Sequence, residues 1–90
     1  MSETVREVWY DPEASLALDR LWERNETVAN AIEAAVEWIG ADNPRSRRRA
    51  FQGDVFAIEV RSCGEDWTIL WELAEDQSAT VIYLGETTSI

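Results

Sequence analysis

Half of the positive charge of this 90-residue chain lies in one short segment, where Arg45, Arg47, Arg48 and Arg49 occur within five residues. Arginine presents a rigid fork of N–H donors that pairs with carboxylate or phosphate through two bonds at once. The segment is therefore a candidate binding site for an anionic partner, such as RNA, an acidic peptide or an acidic groove of another protein. The alternative is a solvated strand edge whose charges neutralise nearby acids and prevent edge-to-edge pairing.

The other side chains that could do chemistry are few, because the chain contains no His, no Lys and one cysteine, Cys63. Ser-His-Asp or Cys-His catalysis, His-ligated zinc, four-Cys metal sites and internal disulfides are therefore excluded. Cys63 lies in a predicted polar turn beside Glu65 and Asp66, whose negative charges disfavour a nucleophilic role. Adjacent acidic residues such as Glu65 and Asp66 do not have the spacing of an EF-hand. We therefore expect neither a metal nor an organic cofactor.

The overall charge is strongly negative, with 18 Asp and Glu against 8 Arg and a formal net charge of −10. Such a charge repels phosphate backbones and anionic lipid, so it disfavours direct binding to free nucleic acid. The alternative is that the acidity only keeps the protein in solution, or reflects a salt-adapted or Lys-poor proteome. Since no apolar stretch approaches the roughly 18 residues of a membrane span and no signal-peptide pattern is present, we expect a cytoplasmic protein without membrane contact.

The first half of the chain predicts one short strand and two helices. Val5–Tyr10 is rich in β-branched and aromatic residues, which favours a strand. Asp11-Pro12 then predicts an N-cap and a first helical residue, with the helix over about Glu13–Arg24. The second helix begins within Asn25–Thr27 and should end at Gly40, where a left-handed glycine closes it. Its apolar stripe has the helical spacing of one buried face and comprises Val28, Ala31, Ile32, Ala35, Val36 and Ile39.

The second half alternates with period two, which is typical of strands. Strands are predicted over Val55–Ser62, Trp67–Leu73 and Ala79–Leu84, with turns at Gly53-Asp54 and Cys63–Asp66. At 90 residues the chain forms one domain, residues 1–90, because a second core would need roughly a hundred more. The predicted fold class is α+β, with an N-terminal strand and a helical hairpin packed on an antiparallel sheet.

The predicted hairpin carries a family resemblance. Phe56–Gly64 and Trp67–Leu73 read FAIEVRSCG and WTILWEL, and they resemble the central hairpin of the RelE/ParE toxins of bacterial type II toxin–antitoxin systems. In that family an aromatic-x-Ile-x-aliphatic-Arg strand and a Ser/Gly turn precede an aromatic-x-aliphatic-aliphatic-aromatic strand. The resemblance covers about Val5 to Glu86. Its other landmarks, in chain order, are Val8–Ala14, Asn43-Pro44 with the following arginines, and Val81–Gly85.

The resemblance implies two kinds of activity. Toxins of the RelE type cut mRNA in the ribosomal A site with Lys and Arg on the open sheet face, helped in some by a C-terminal Tyr. Here only Arg61 remains of that basic set, and no Tyr follows Tyr83. Without metal, phosphodiester cleavage needs cations for the developing charge and a group that moves the 2′-OH proton. The positions that match the family's other basic residues hold Ala57, Glu59, Thr68 and Glu86-Thr87.

Toxins of the ParE type share the fold, lack the nuclease residues and poison DNA gyrase by binding it. The resemblance therefore favours a toxin component that acts by protein binding and is neutralised by a cognate antitoxin. Two alternatives stay open. One is a ribosome-dependent mRNA interferase with a divergent basic site at Arg45–Arg49 and Arg61, and the other is a non-toxic interaction module derived from the fold. Several guanidinium groups converging with Tyr83 in one pocket would overturn the preference for protein binding over RNA cleavage.

Three further side chains are candidates with a structural alternative each. Arg61 is a catalytic candidate of the open face, but we favour a structural role for it, in which it pairs with Glu59 and Glu72. Tyr83 could move a proton beside a cation, or it could simply pack at the rim of the core. Trp38 lies off the apolar stripe of its helix and is a candidate partner contact, since Trp is enriched at interface hot spots. Single exposed aromatics are also ordinary.

Overall fold

Two antiparallel helices cover one face of a five-stranded mixed sheet, which confirms the predicted α+β class. The computed structural model describes residues 5–89. A 3₁₀ turn, Pro44–Arg47, links the helices to the strands, and a second one, Thr87–Ser89, follows the last strand. The helices and strands in chain order are β1 (Val8–Tyr10), α1 (Pro12–Arg24), α2 (Glu26–Gly40), β2 (Arg49–Gln52), β3 (Val55–Ser62), β4 (Glu65–Leu73) and β5 (Ala79–Glu86).

The strands lie in the order β1-β5-β4-β3-β2. Strands β3 to β5 form the predicted antiparallel meander, and β2 adds a further antiparallel strand to it. β1 pairs in parallel with β5, so the sheet is mixed, which corrects the expected antiparallel sheet at this edge. The helical hairpin returns the chain to the far edge of the sheet, and β1 is therefore left beside the last strand. β2 was not predicted, since all of its residues are exposed and show no alternation.

Both outer strands are short and leave part of their neighbour without a partner. β2 reaches only Val55–Ala57 of β3, and β1 reaches only Ala79–Val81 of β5. Within residues 5–89, the rest of β3 and the rest of β5 therefore have one edge that pairs with no strand. Each of these free edges borders a cleft that is described below.

The helix ends follow the sequence in part. Asn25 separates the helices, and its side-chain oxygen accepts a hydrogen bond of 3.3 Å from the Val28 amide, as an N-cap should. Asp11 occupies the other cap position without a side-chain bond. The prediction for Gly40 is wrong: it is the last helical residue, and the positive φ of 53° falls on Asp42. Gly40 is buried instead, and its carbonyl accepts hydrogen bonds from the amides of Val5 and Arg6.

The core lies between the helices and the sheet. Nearly all of the predicted stripe of α2 is buried, and Ala14, Leu18 and Leu21 of α1 join it. Trp71 of β4 is completely buried, and its ring centroid lies 5.0 Å from that of Phe56. The sheet residues of this core include Phe56, Ile58, Val60, Trp67, Ile69, Trp71, Ala79, Val81 and Leu84.

Among the residues that the structure describes, no helix is long and apolar enough to cross a membrane.

Candidate functional site

The arginine segment forms one wall of a cleft of about 450 Å³ beside the free edge of β3. We call it the arginine cleft. Three of the four predicted arginines line it, together with Trp38, which is half-buried against the core. The complete lining is Trp38, Arg45, Arg48, Arg49, Ala57, Ile58 and Glu59.

The backbone of the segment is held by Asn43 and Ser46. The Asn43 side chain accepts the Arg45 amide at 3.0 Å, and the Ser46 hydroxyl donates to the Asn43 carbonyl at 2.8 Å. Ser46 is completely buried between exposed arginines, and its own carbonyl accepts the Trp71 indole N–H at 2.8 Å. The guanidinium groups therefore extend from a fixed turn, while their side chains stay in solvent.

The charges in the arginine cleft are only partly neutralised. Arg49 forms an ion pair with Glu59. The guanidinium carbon of Arg45 lies 5.5 Å from the ring centroid of Trp38, a cation–π distance. Neither Arg45 nor Arg48 forms an ion pair with any residue between positions 5 and 89. Two cations are thus open to an anionic ligand, one of them on an aromatic wall.

Arg47 is not part of the cleft. Its Nη2 lies 3.0 Å from Oδ1 of Asp42, and the same oxygen accepts from Nη2 of Arg6 at 3.1 Å. The Arg6 side chain is buried, with its guanidinium carbon 5.9 Å from the centroid of Trp71. Its Nε and Nη1 have no hydrogen-bond partner among the described residues. Asp42 thus joins the N-terminal segment to the 3₁₀ turn and draws Arg47 away from the cleft.

Arg61 and Tyr83 lie far apart on the sheet. Arg61 pairs in register with Asp66, and Tyr83 pairs with Leu70. They are thus two strands and four positions apart, roughly 16 Å between Cα atoms at ideal strand spacings. The predicted pairing of Arg61 with Glu59 and Glu72 is wrong: its Nε lies 3.6 Å from Oδ1 of Asp66, and Glu59 holds Arg49 instead. Arg61 and Tyr83 do not form one site.

Tyr83 instead borders a second cleft, of about 340 Å³, between α1 and the free edge of β5. We call it the Tyr83 groove. Arg20 and Arg24, one helical turn apart on α1, line it with Tyr83. Sequence reasoning missed these two arginines, although their i, i+4 spacing places them on one face of a predicted helix. The other lining residues are Ala17, Leu21, Trp67, Leu84, Gly85 and Glu86.

One of the two arginines that line the Tyr83 groove, Arg24, already forms an ion pair with a carboxylate. Nη2 of Arg24 lies 3.1 Å from Oε1 of Glu65, and its guanidinium carbon lies 5.8 Å from the centroid of Trp67. Hydrogen bonds from Arg24 and then from the Trp67 indole hold the pKa of Glu65 below its ordinary value. Arg20 forms no ion pair within residues 5–89.

No group of three or more His, Cys, Asp or Glu side chains in the described part of the chain is placed to hold a metal ion. The lone thiol, Cys63, is exposed in the turn between β3 and β4. Within residues 5–89, the arginine cleft and the Tyr83 groove, both lined by arginine and aromatic side chains, are therefore the candidate sites.

A comparison with protein-family models, curated proteins and solved structures finds no match to this chain. The resemblance to RelE/ParE toxins consequently rests on the residues and the order of the elements alone.

Proposed function

We propose that this chain is a RelE/ParE-like component of a type II toxin–antitoxin system, that it acts in the cytoplasm by binding protein, and that an acidic segment of its cognate antitoxin occupies the arginine cleft. The observation that carries the proposal is the convergence of Arg45, Arg48 and Trp38 on one cleft. Guanidinium groups beside an indole ring suit a peptide that carries carboxylates next to apolar side chains.

A protein partner accounts for the charge pattern better than a nucleic acid does. With a net charge of −10, the domain repels a phosphate backbone except at its few arginines. On the open face of the sheet, Arg61 is 79 % exposed beside Asp66, and Glu72 is exposed as well. Thr68, at a position where the family carries Arg, is buried and shares a hydrogen bond of 2.9 Å with Thr87.

The free edge of β3 supports an extended partner. From Ile58 to Ser62 this edge pairs with no strand of residues 5–89. A segment added there would gain backbone hydrogen bonds, as in strand addition, and it would pass Arg45 and Arg48 at the mouth of the cleft. Backbone pairing would supply affinity, and the arginines would select an acidic sequence.

The binding part of the proposal is tested with the antitoxin candidate, a protein encoded by a short reading frame adjacent to the gene for this chain. Calorimetry should show binding, and Arg45→Ser/Arg48→Ser should weaken it at least about tenfold, the effect of losing two charge-assisted contacts. The control is Arg61→Ser, which removes an exposed arginine outside the cleft and should change the affinity less than about twofold. Equal losses of affinity in the two variants would show that the arginines act only through the overall charge of the domain. That result would contradict the proposal.

The target is tested separately with a DNA gyrase supercoiling assay. The wild-type chain should inhibit supercoiling, and the antitoxin candidate should restore it. Binding of the antitoxin candidate without inhibition of gyrase and without growth arrest would identify a non-toxic interaction module instead.

A second candidate function is a RelE-type mRNA interferase, which the Tyr83 groove favours. There Tyr83 shares a cleft with Arg20 and Arg24, the juxtaposition that phosphodiester cleavage would use for proton transfer and charge stabilisation. Only two guanidinium groups meet there, and Arg24 is engaged by Glu65, which is why protein binding ranks first. In a translating extract, cuts at codon edges that disappear in Tyr83→Phe and Arg20→Ser would establish the nuclease.

A further inference from the structure

Glu59 is the only acidic side chain in the lining of the arginine cleft, and sequence reasoning placed it with Arg61 instead. It lies on the exposed face of β3, two residues after Ala57, the register partner of Arg49. Its carboxylate forms an ion pair with the Arg49 guanidinium, and both side chains are more than half exposed. The cleft thus already holds one carboxylate of the chain's own.

The three arginines of the cleft are consequently not equivalent. The guanidinium carbon of Arg45 lies over the Trp38 ring, and Arg45 forms no ion pair with a described residue, so its N–H donors have no carboxylate partner there. Arg48 has no carboxylate partner among the described residues. A ligand carboxylate reaches these two without displacing anything. At Arg49 it must first displace Glu59.

We infer that Glu59 is a specificity-determining residue of the arginine cleft: by occupying Arg49 it restricts the cleft to acidic segments that can be held by Arg45 and Arg48 alone. The inference rests on the proposed function, because it concerns the same cleft and an acidic peptide as its ligand. It makes Glu59 an internal competitor of the partner. Removing its charge frees a third guanidinium group and increases the affinity for a polyanionic peptide.

The experiment uses the full chain and a rhodamine-labelled hexaglutamate peptide, with binding followed by fluorescence anisotropy. Salt is kept at about 0.1 M, where the Debye length is about 10 Å and distant charges are screened. The test variant is Glu59→Gln. The matched control is Glu72→Gln, which removes the same charge from an exposed position of β4 outside the cleft.

Glu59→Gln should bind hexaglutamate about three- to fivefold more tightly than the wild type, the range of one exposed ion pair. The affinity of Glu72→Gln for hexaglutamate should stay within about 1.5-fold of the wild-type affinity. Glu72 lies outside the cleft, and the salt screens its charge from the ligand. Circular dichroism establishes that both variants are folded, and Glu59→Ser should give the same gain as Glu59→Gln.

Each other result has a defined meaning. Equal gains in Glu59→Gln and Glu72→Gln would reflect net charge and overturn the role of Glu59, while the cleft itself would stand. Wild-type affinity in Glu59→Gln would overturn it as well. Binding that survives Arg45→Ser/Arg48→Ser would overturn the proposed site instead. If neither the wild type nor Glu59→Gln binds the peptide, both the site and the inference fail.

Discussion

The indole Nε1 of Trp71 donates a hydrogen bond of 2.8 Å to the backbone carbonyl of Ser46, and both residues are completely buried. The bond connects the centre of the sheet to the turn that carries Arg45. The bond therefore helps to hold this wall of the arginine cleft in place against the core.

Replacing Trp71 by Phe removes this bond and leaves the Ser46 carbonyl buried without its partner. We expect a loss of about 2–4 kcal/mol in the free energy of unfolding, from an unsatisfied acceptor plus a smaller ring in a filled core. Urea denaturation followed by circular dichroism measures it. Trp9→Phe is the control, since Trp9 is 59 % exposed, and it should change stability by less than about 0.5 kcal/mol. Equal effects in the two variants would contradict the anchoring role of Trp71.

The turn between β3 and β4 places Cys63 at a φ of 54° and Gly64 at 76°. Two consecutive positive φ values characterise the type I′ hairpin turn, whose preferred sequence is Asn-Gly. Cys63→Asn should therefore raise the free energy of unfolding by about 0.5–1 kcal/mol, because Asn tolerates the left-handed region. Cys63→Val should lower it by at least about 1 kcal/mol, since a β-branched residue fits there worst. Thermal unfolding under reducing conditions compares the three, and the reverse order would exclude this turn geometry.

Gly85 leaves room for the Tyr83 ring, since a Cβ built on it would lie 2.8 Å from Cζ of that ring. Gly85→Ala should thus move the Tyr83 side chain and destabilise the domain by about 1–2 kcal/mol. In a Tyr83→Ala background the same change should cost less than about 0.5 kcal/mol, so that a double-mutant cycle gives a coupling of about 1 kcal/mol. Equal costs in both backgrounds would show that the strand requires glycine for its own sake.

Glu65 should contribute to acid unfolding. Its folded pKa is depressed from the ordinary 4.5, chiefly by the Arg24 guanidinium. The stabilisation that the ionised Glu65 carboxylate gives the folded state is therefore fully present above its ordinary pKa, and it is lost as the pH falls through the folded pKa. Relative to the wild type, Glu65→Gln should be less stable at about pH 7, and the difference should shrink toward about pH 3.

Urea midpoints across this pH range provide the measurement for Glu65. Glu72→Gln serves as control, because its carboxylate receives no side-chain hydrogen bond from residues 5–89. A difference between Glu65→Gln and the wild type that stays constant with pH would rule out the Arg24–Glu65 contribution.

The periodic parts of the chain could be predicted because their pattern is local. The stripe from Val28 to Ile39 repeats at helical spacing, and all of it but Ala31 is buried. The alternation in Val55–Ser62 and in Trp67–Leu73 likewise predicts the inward side of β3 and β4. The alternation does not report burial on the other face, where Ala57, Thr68 and Leu70 are buried as well.

What failed depends on contacts between distant segments. No local pattern indicates that β1 lies parallel to β5, or that Glu59 meets Arg49 across a strand edge. Arg47 belongs to the same run as Arg48 but is drawn away by Asp42. The run of arginines could be found from the sequence, whereas the different partners of the individual arginines could be identified only from the fold.

The parallel pair of β1 and β5 has a consequence for how the domain comes into being. The amide of Ala79 donates to the carbonyl of Glu7, and the amide of Asp11 donates to that of Val81, so the first strand closes on the last. While the polypeptide is being synthesised, β1 has no partner until residues 79–81 have been added. A message cut short before Ala79 yields a nascent chain whose helices have no fifth strand to cover, and such a product should be degraded rather than accumulate.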